Sequence, residues 1–167
     1  MRRLKSNTLS LLFLVCGLLF ISACGVPVCE KTMPEGMALN SVDDQTIAMD
    51  GYDVTAFRTK KKAIKGSAGN QSTYQGITYH FENEIAKKMF EGNPEKFIPS
   101  FGGFCAVAAS FGKVEPVQID LFDLYEGKLY FARNAKAQKM WMEDKSGIRD
   151  RAEGQWPCLV ANNGRKL

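Results

Sequence analysis

The stretch LFDLYEGKLYFAR, residues 121–133, carries a clear structural signal. Two short runs of aromatic and aliphatic residues flank Glu126-Gly127, and a glycine readily supplies the positive φ that a tight turn requires. The pattern predicts a β-hairpin with strands over residues 121–124 and 128–131. Asn134 follows and is expected to cap a helix whose residues Ala137, Met140 and Trp141 face inward.

A second hairpin is predicted upstream, with strands over residues 72–74 and 77–81 joined by Gln75-Gly76. The sequence ENEIAKKMFEG then favours a helix with Ile85, Met89 and Phe90 on one face. Hairpin, helix, small-residue helix, hairpin and helix make an α+β pattern. We therefore expect a small single domain of β-hairpins packed with short helices.

The amino-terminal sequence predicts export. A short basic segment precedes an apolar run of about a dozen residues, which is typical of a secretory signal peptide. The run ends in Ile21-Ser22-Ala23-Cys24, which resembles a bacterial lipobox, where cleavage precedes a cysteine that is then acylated. We expect a signal peptide over residues 1–23 and a membrane-anchoring lipid on Cys24, with the protein exported to the cell envelope.

The rest of the chain divides into a tether over residues 24–40, a domain over 41–160 and a tail over 161–167. Removing the signal peptide removes three basic and no acidic residues, which lowers the formal charge from +4 to +1. Because no strong Lys and Arg cluster remains, nucleic acid is excluded as the expected partner. In some bacteria, an aspartate directly after the lipidated cysteine resembles a signal that retains the lipoprotein in the inner membrane. This chain has Gly25 at that position, which favours the outer membrane.

Three cysteines remain after lipidation, in an oxidising compartment. Cys29 in the tether and Cys158 near the C-terminus are expected to be flexible enough to form a disulfide. Cys105 is then the free thiol, and three roles stay open for it: packing, metal ligation or redox chemistry. Because Gly102-Gly103 precedes it, Cys105 is expected at a helix start as an accessible, reactive thiol that ligates.

Five motifs in unbroken order resemble the YHS domain family, over roughly residues 48–157. They are GYDVTAF (51–57), TYQGITYHF (73–81), NPEKFIPSFGGFCA (93–106), GKLYF (127–131) and QW (155–156). The resemblance implies a heavy-metal or copper-associated module of unsettled reaction. The chain departs from the cysteine pattern of the metal-handling members, because Glu82 stands where they carry a cysteine after the first hairpin.

The candidate ligands for a soft metal such as copper are Cys105, His80, which is the only histidine, and Met89. Tyr52 and Asp53 are expected to line a pocket, or Asp53 to cap a helix. The leading hypothesis is a lipid-anchored envelope module that binds copper. The alternatives are a non-catalytic protein-interaction module with an envelope partner and a thiol-redox protein using Cys105. The sequence leaves open whether the protein is an enzyme.

Overall fold

The computed structural model describes residues 40–41 and 46–164 of the 167-residue chain. The fold is α+β, as predicted, and its elements alternate along the chain. In this part of the protein the helices are α1 (Val54–Thr59), α2 (Glu84–Gly92), α3 (Ala106–Ala109), α4 (Ala135–Glu143) and α5 (Lys145–Ala161). The strands are β1 (Ser67–Tyr74), β2 (Ile77–Phe81), β3 (Phe122–Tyr125) and β4 (Lys128–Phe131).

Both predicted hairpins are confirmed, and both close with the same backbone geometry. Gln75 and Gly76 have φ of 50° and 77°, and Glu126 and Gly127 have φ of 47° and 75°. Two consecutive left-handed residues match the right-handed twist of the flanking strands. The pairing is antiparallel in each case. Strand β1 begins earlier than expected and carries a register irregularity between residues 67 and 71.

Strand β4 separates two hydrophobic cores. Leu129 and Phe131 pack into the first, here called the hairpin core, while Tyr130 and the adjoining Ala132 pack into the second, the helical core. The hairpin core also contains buried residues of α1, β2 and α2: Val54, Phe57, Tyr79, Phe81, Ala86 and Phe90. The helical core contains those of α3, α4 and α5: Ala106, Val107, Ala108, Ala109, Ala137, Trp141, Ile148, Ala152 and Leu159.

Asp53 joins α1 to the end of β2. Its buried carboxylate accepts hydrogen bonds from the Thr55 amide at 2.8 Å and the Thr55 hydroxyl at 2.7 Å. It also accepts one from the Glu82 amide at 2.9 Å, across the hairpin core. The helix-cap interpretation of Asp53 is therefore confirmed, and the three donors compensate the cost of burying a charged group.

Helix α2 departs from the predicted apolar face. Asn83 caps it by accepting a hydrogen bond from the Ala86 amide at 3.0 Å, and Ala86 and Phe90 are buried. Ile85 and Met89, expected beside Phe90, are 75% and 42% exposed. Phe90 alone of these three faces the core, because the helix lies against β1 and β2 along its Ala86 and Phe90 edge.

Helix α4 follows the prediction. Asn134 accepts a hydrogen bond from the Ala137 amide at 2.9 Å, Ala137 and Trp141 are buried, and Met140 is half-buried. The Trp141 indole donates to Asp123 of β3 at 2.8 Å, which fixes the helix to the second hairpin.

Helix α5 was not predicted, because Gly147, Gly154 and Pro157 interrupt its sequence and weaken any helical pattern. Tertiary packing holds it instead, through the small-residue helix α3 and through α4. Cys158 lies in this helix and is fully buried. The expectation that Cys158 is flexible is therefore wrong.

The carboxylate of Asp123 gives the fold a pH dependence. Partial burial opposes its ionisation, but hydrogen bonds from Lys145 and Trp141 outweigh this and hold the pKa of Asp123 below its usual value. The Lys145 ammonium lies 2.7 Å from the carboxylate. Because the pKa of Asp123 is lower in the native state than in the unfolded chain, its ionised carboxylate stabilises the fold at pH values above the unfolded pKa. This stabilisation is lost as the pH falls through the native pKa.

We expect Asp123→Asn to lower the free energy of unfolding by about 1 kcal/mol at pH 7, because the amide keeps an acceptor for Trp141 but loses the charge. The difference from the wild type should shrink as the pH falls below about 4. Urea denaturation at pH 7 and pH 3 measures both values, with the exposed Asp120→Asn as control. A difference that stays constant over this range would contradict the assignment.

Candidate binding site

The segment from Pro99 to Cys105 lies along the free edge of β4. Pro99 pairs with Leu129 and Cys105 pairs with Phe131, both in parallel orientation. Six residue steps on one side therefore span two on the other, and the extra residues form a 3-10 turn over Ser100–Gly103. Strand β4 is thus flanked by β3 on one edge and by this segment on the other.

The two glycines of this turn serve its geometry. Phe101, Gly102 and Gly103 have φ of 52°, 58° and 85°, a left-handed run that glycine adopts without strain. A Cβ atom on Gly103 would lie 2.2 Å from the sulfur of Met49, so the backbone also approaches that side chain closely. The glycines deliver Cys105 to β4, and a side chain at position 103 would be strained at this positive φ and would displace the Met49 thioether.

Cys105 lies at the start of a helix, as predicted, but it is not accessible to solvent. It precedes α3 as its N-terminal capping residue, and its amide donates to the Glu115 carbonyl at 3.1 Å. Its exposed fraction is 0%, so the expectation of an accessible thiol is wrong. Cys105 is the free cysteine of the described residues.

A cavity of about 220 Å³ lies beside Cys105, between α3, α4 and the loop that follows α3. Its apolar wall is built mostly from small side chains, which leave the space open. The lining residues are Cys105, Val107, Ala108, Phe111, Lys113, Glu115, Arg133, Asn134, Lys136, Ala137 and Met140. Ala108 and Ala137 are buried, whereas the ring of Phe111 is 61% exposed.

The charges of the cavity are mainly positive. Lys113, Arg133 and Lys136 line it together with one acidic residue, Glu115. Glu115 is paired with Arg133 at 3.4 Å. Within the described part of the chain, no carboxylate lies within ion-pair distance of Lys113 or Lys136.

The soft-ligand candidates occupy different parts of the domain. The half-buried His80 imidazole stands against the backbone of Gly51, where an added Cβ would lie 3.1 Å from Nδ1. Met89 lines a groove between α1 and α2, and Cys105 lines the cavity at α3. The sulfur-bearing residue that shares the cavity with Cys105 is Met140, which the helix pattern had placed inward.

Tyr52 and Asp53 were both expected to line a pocket, and the structure places Asp53, but not Tyr52, in the groove between α1 and α2. Asp53 lines the groove between α1 and α2 together with Met89, and its carboxylate is already occupied by its three donors. Tyr52 lies outside that groove, where its ring packs under the Lys65 ammonium at 4.4 Å. Cation–π contact of this kind is a structural role.

Among the described residues, no group of three or more His, Cys, Asp or Glu side chains is placed to hold a metal ion. Cys158 is disulfide-bonded. Cys24, Cys29 and most of the tether lie outside the described residues, so lipidation and pairing with Cys29 stay predictions. None of the described helices combines the length and apolar character needed to cross a membrane.

Comparison with protein-family models, with curated proteins and with solved structures finds no match to this chain.

The burial of Cys105 predicts slow alkylation. In folded protein, iodoacetamide should label Cys105 at least about 100-fold more slowly than in urea-unfolded protein at every pH, because reaction requires local opening. Mass spectrometry of wild type and Cys105→Ala, without reduction of disulfides, assigns the label. Labelling of the folded protein at the unfolded rate would contradict the burial.

Proposed function

We propose that this chain is a lipid-anchored binding module of the bacterial cell envelope, with a YHS-like domain whose ligand occupies the cavity beside Cys105. The observation that carries the proposal is the cavity itself. Its walls belong to α3 and α4, whose buried residues are held by the helical core, so the space exists before a ligand arrives. Pockets of this kind are largely preformed in ligand-binding proteins.

The composition of the cavity favours binding over nucleophilic catalysis. A cysteine nucleophile needs a general base within hydrogen-bond reach. The lining residues include no histidine, and the carboxylate of Glu115 is paired with Arg133. Cys105 is also fully buried, which disfavours the thiol-redox alternative.

Copper remains the candidate metal, with a changed set of ligands. Cys105 and Met140 place a thiol and a thioether on one cavity, and soft sulfur ligands select Cu(I). Met89 lines the groove between α1 and α2, and neither His80 nor Met89 is among the residues that line this cavity. Binding through Cys105 requires a small opening of the wall, because the residue is closed to solvent.

The copper candidate predicts a specific pattern of losses. Cys105→Ala and the nearly isosteric Met140→Leu should each weaken Cu(I) binding at least about tenfold, while His80→Ala and Met89→Leu leave it unchanged. Competition with a chromogenic Cu(I) chelator, on full-length protein kept anaerobic with ascorbate, measures the affinity. Unchanged affinity in both cavity variants would remove copper from this site.

The protein-interaction alternative has its own surface. Ile85 and Met89 lie one turn apart on α2 and are exposed, and they line the groove between α1 and α2. Crosslinking in cells from a residue on this face, followed by identification of the products, separates this alternative from small-ligand binding. A stoichiometric envelope partner would favour the interaction module.

A further inference from the structure

The residues that line the Cys105 cavity carry more positive than negative charge, and two of the cationic side chains have no ion-pair partner among the described residues. The lining residues hold three cationic side chains and one carboxylate, and that carboxylate is paired with Arg133. Lys113 and Lys136 come from different segments, the loop after α3 and the first turn of α4. Two lysines that line one cavity without a carboxylate partner among the described residues favour an anion there.

The interior of the same cavity is apolar. Val107, Ala108, Ala137 and Met140 supply aliphatic and thioether surface. The ring of Phe111, which also lines it, is 61% exposed. This aromatic ring offers a large apolar surface that a ligand in the cavity can cover.

We propose that the cavity binds a small organic carboxylate with an aromatic or short aliphatic body. This rests on the proposed function in so far as the cavity is the ligand site. The carboxylate lies between Lys113 and Lys136, and the body lies over Ala108 and Ala137 beneath the ring of Phe111. A volume of about 220 Å³ limits the body to roughly one ring or a short chain, since pockets for drug-sized ligands measure about 300–1,000 Å³.

Both parts of the ligand are needed in this account. A simple anion would bind the two lysine ammonium groups only weakly in water, because exposed ion pairs contribute little binding free energy. The apolar body adds burial and excludes water from the ion pairs, which strengthens them. The affinity for the carboxylate should therefore fall as the salt concentration rises. The affinity for a neutral molecule of the same shape should hardly change.

The test compares benzoate with benzamide, which has the same shape and no charge, and with acetate, which has the charge and no ring. Chemical-shift changes of backbone amides in the full-length protein locate each probe and give its affinity. We expect benzoate to shift the amides of residues 106–113 and 134–140, with benzamide and acetate each at least about tenfold weaker.

Variants assign the groups. Lys113→Gln and Lys136→Gln should each weaken benzoate about three- to tenfold and leave benzamide unchanged. Phe111→Ala should weaken both aromatic probes about three- to tenfold. Lys88→Gln is the matched control, since Lys88 is an exposed lysine of α2 that does not line the cavity.

The outcomes separate the two proposals. Equal binding of benzoate and benzamide at the cavity would overturn the carboxylate inference and keep the cavity as a ligand site. Acetate binding as tight as benzoate would overturn the role of the apolar wall. Shifts confined to other parts of the domain would overturn both this inference and the placing of the ligand in the cavity. No shift with any probe would overturn this inference alone, because the Cu(I) competition tests the cavity as a ligand site independently.

Discussion

Strand β4 buries side chains on both of its faces, and the rest of the domain is arranged around that constraint. Leu129 and Phe131 enter the hairpin core while Tyr130 and Ala132 enter the helical core. Because side chains alternate along a strand, a slip of one residue would exchange the two sets. The turn before β4 is anchored accordingly: Arg58 of α1 donates to the Gly127 carbonyl at 2.6 Å.

The cavity is a consequence of how the chain passes β4. The left-handed turn ending at Gly103 places Cys105 against Phe131, and α3 then begins under α4 and α5. Close packing of such a short helix requires small side chains. Ala108 and Ala137 meet that requirement and leave unfilled space between their helices. After β4 ends at Phe131, the chain continues into α4, which brings Arg133 and Lys136 to the cavity.

The local features of the fold could be read from the sequence because they depend on nearest neighbours. The two hairpin turns and the capping residues Asp53 and Asn134 need only a few adjacent residues to specify them. Helix α5 and the exposure of Ile85 could not be read in this way. Each is decided by which distant element packs against the helix, and tertiary contact overrides the local pattern.

The candidate site was likewise predictable only where neighbouring residues specify it. The sequence singled out Cys105 by its position after two glycines, but its burial follows from pairing with β4, which is distant in the chain. His80 was considered as a ligand because it is the only histidine, and rarity carries no spatial information. The residues that could have indicated the cavity are Lys113, which follows α3, and Lys136 and Met140, which lie in α4. They meet only once α3 and α4 are packed together.

A crystal structure of the protein purified from its native source tests most directly whether the cavity beside Cys105 holds a ligand. We expect electron density for a small molecule in the cavity between α3 and α4, with its charged group facing Lys113 and Lys136. Density for a ligand elsewhere on the domain, with this cavity closed by its own side chains, would contradict it.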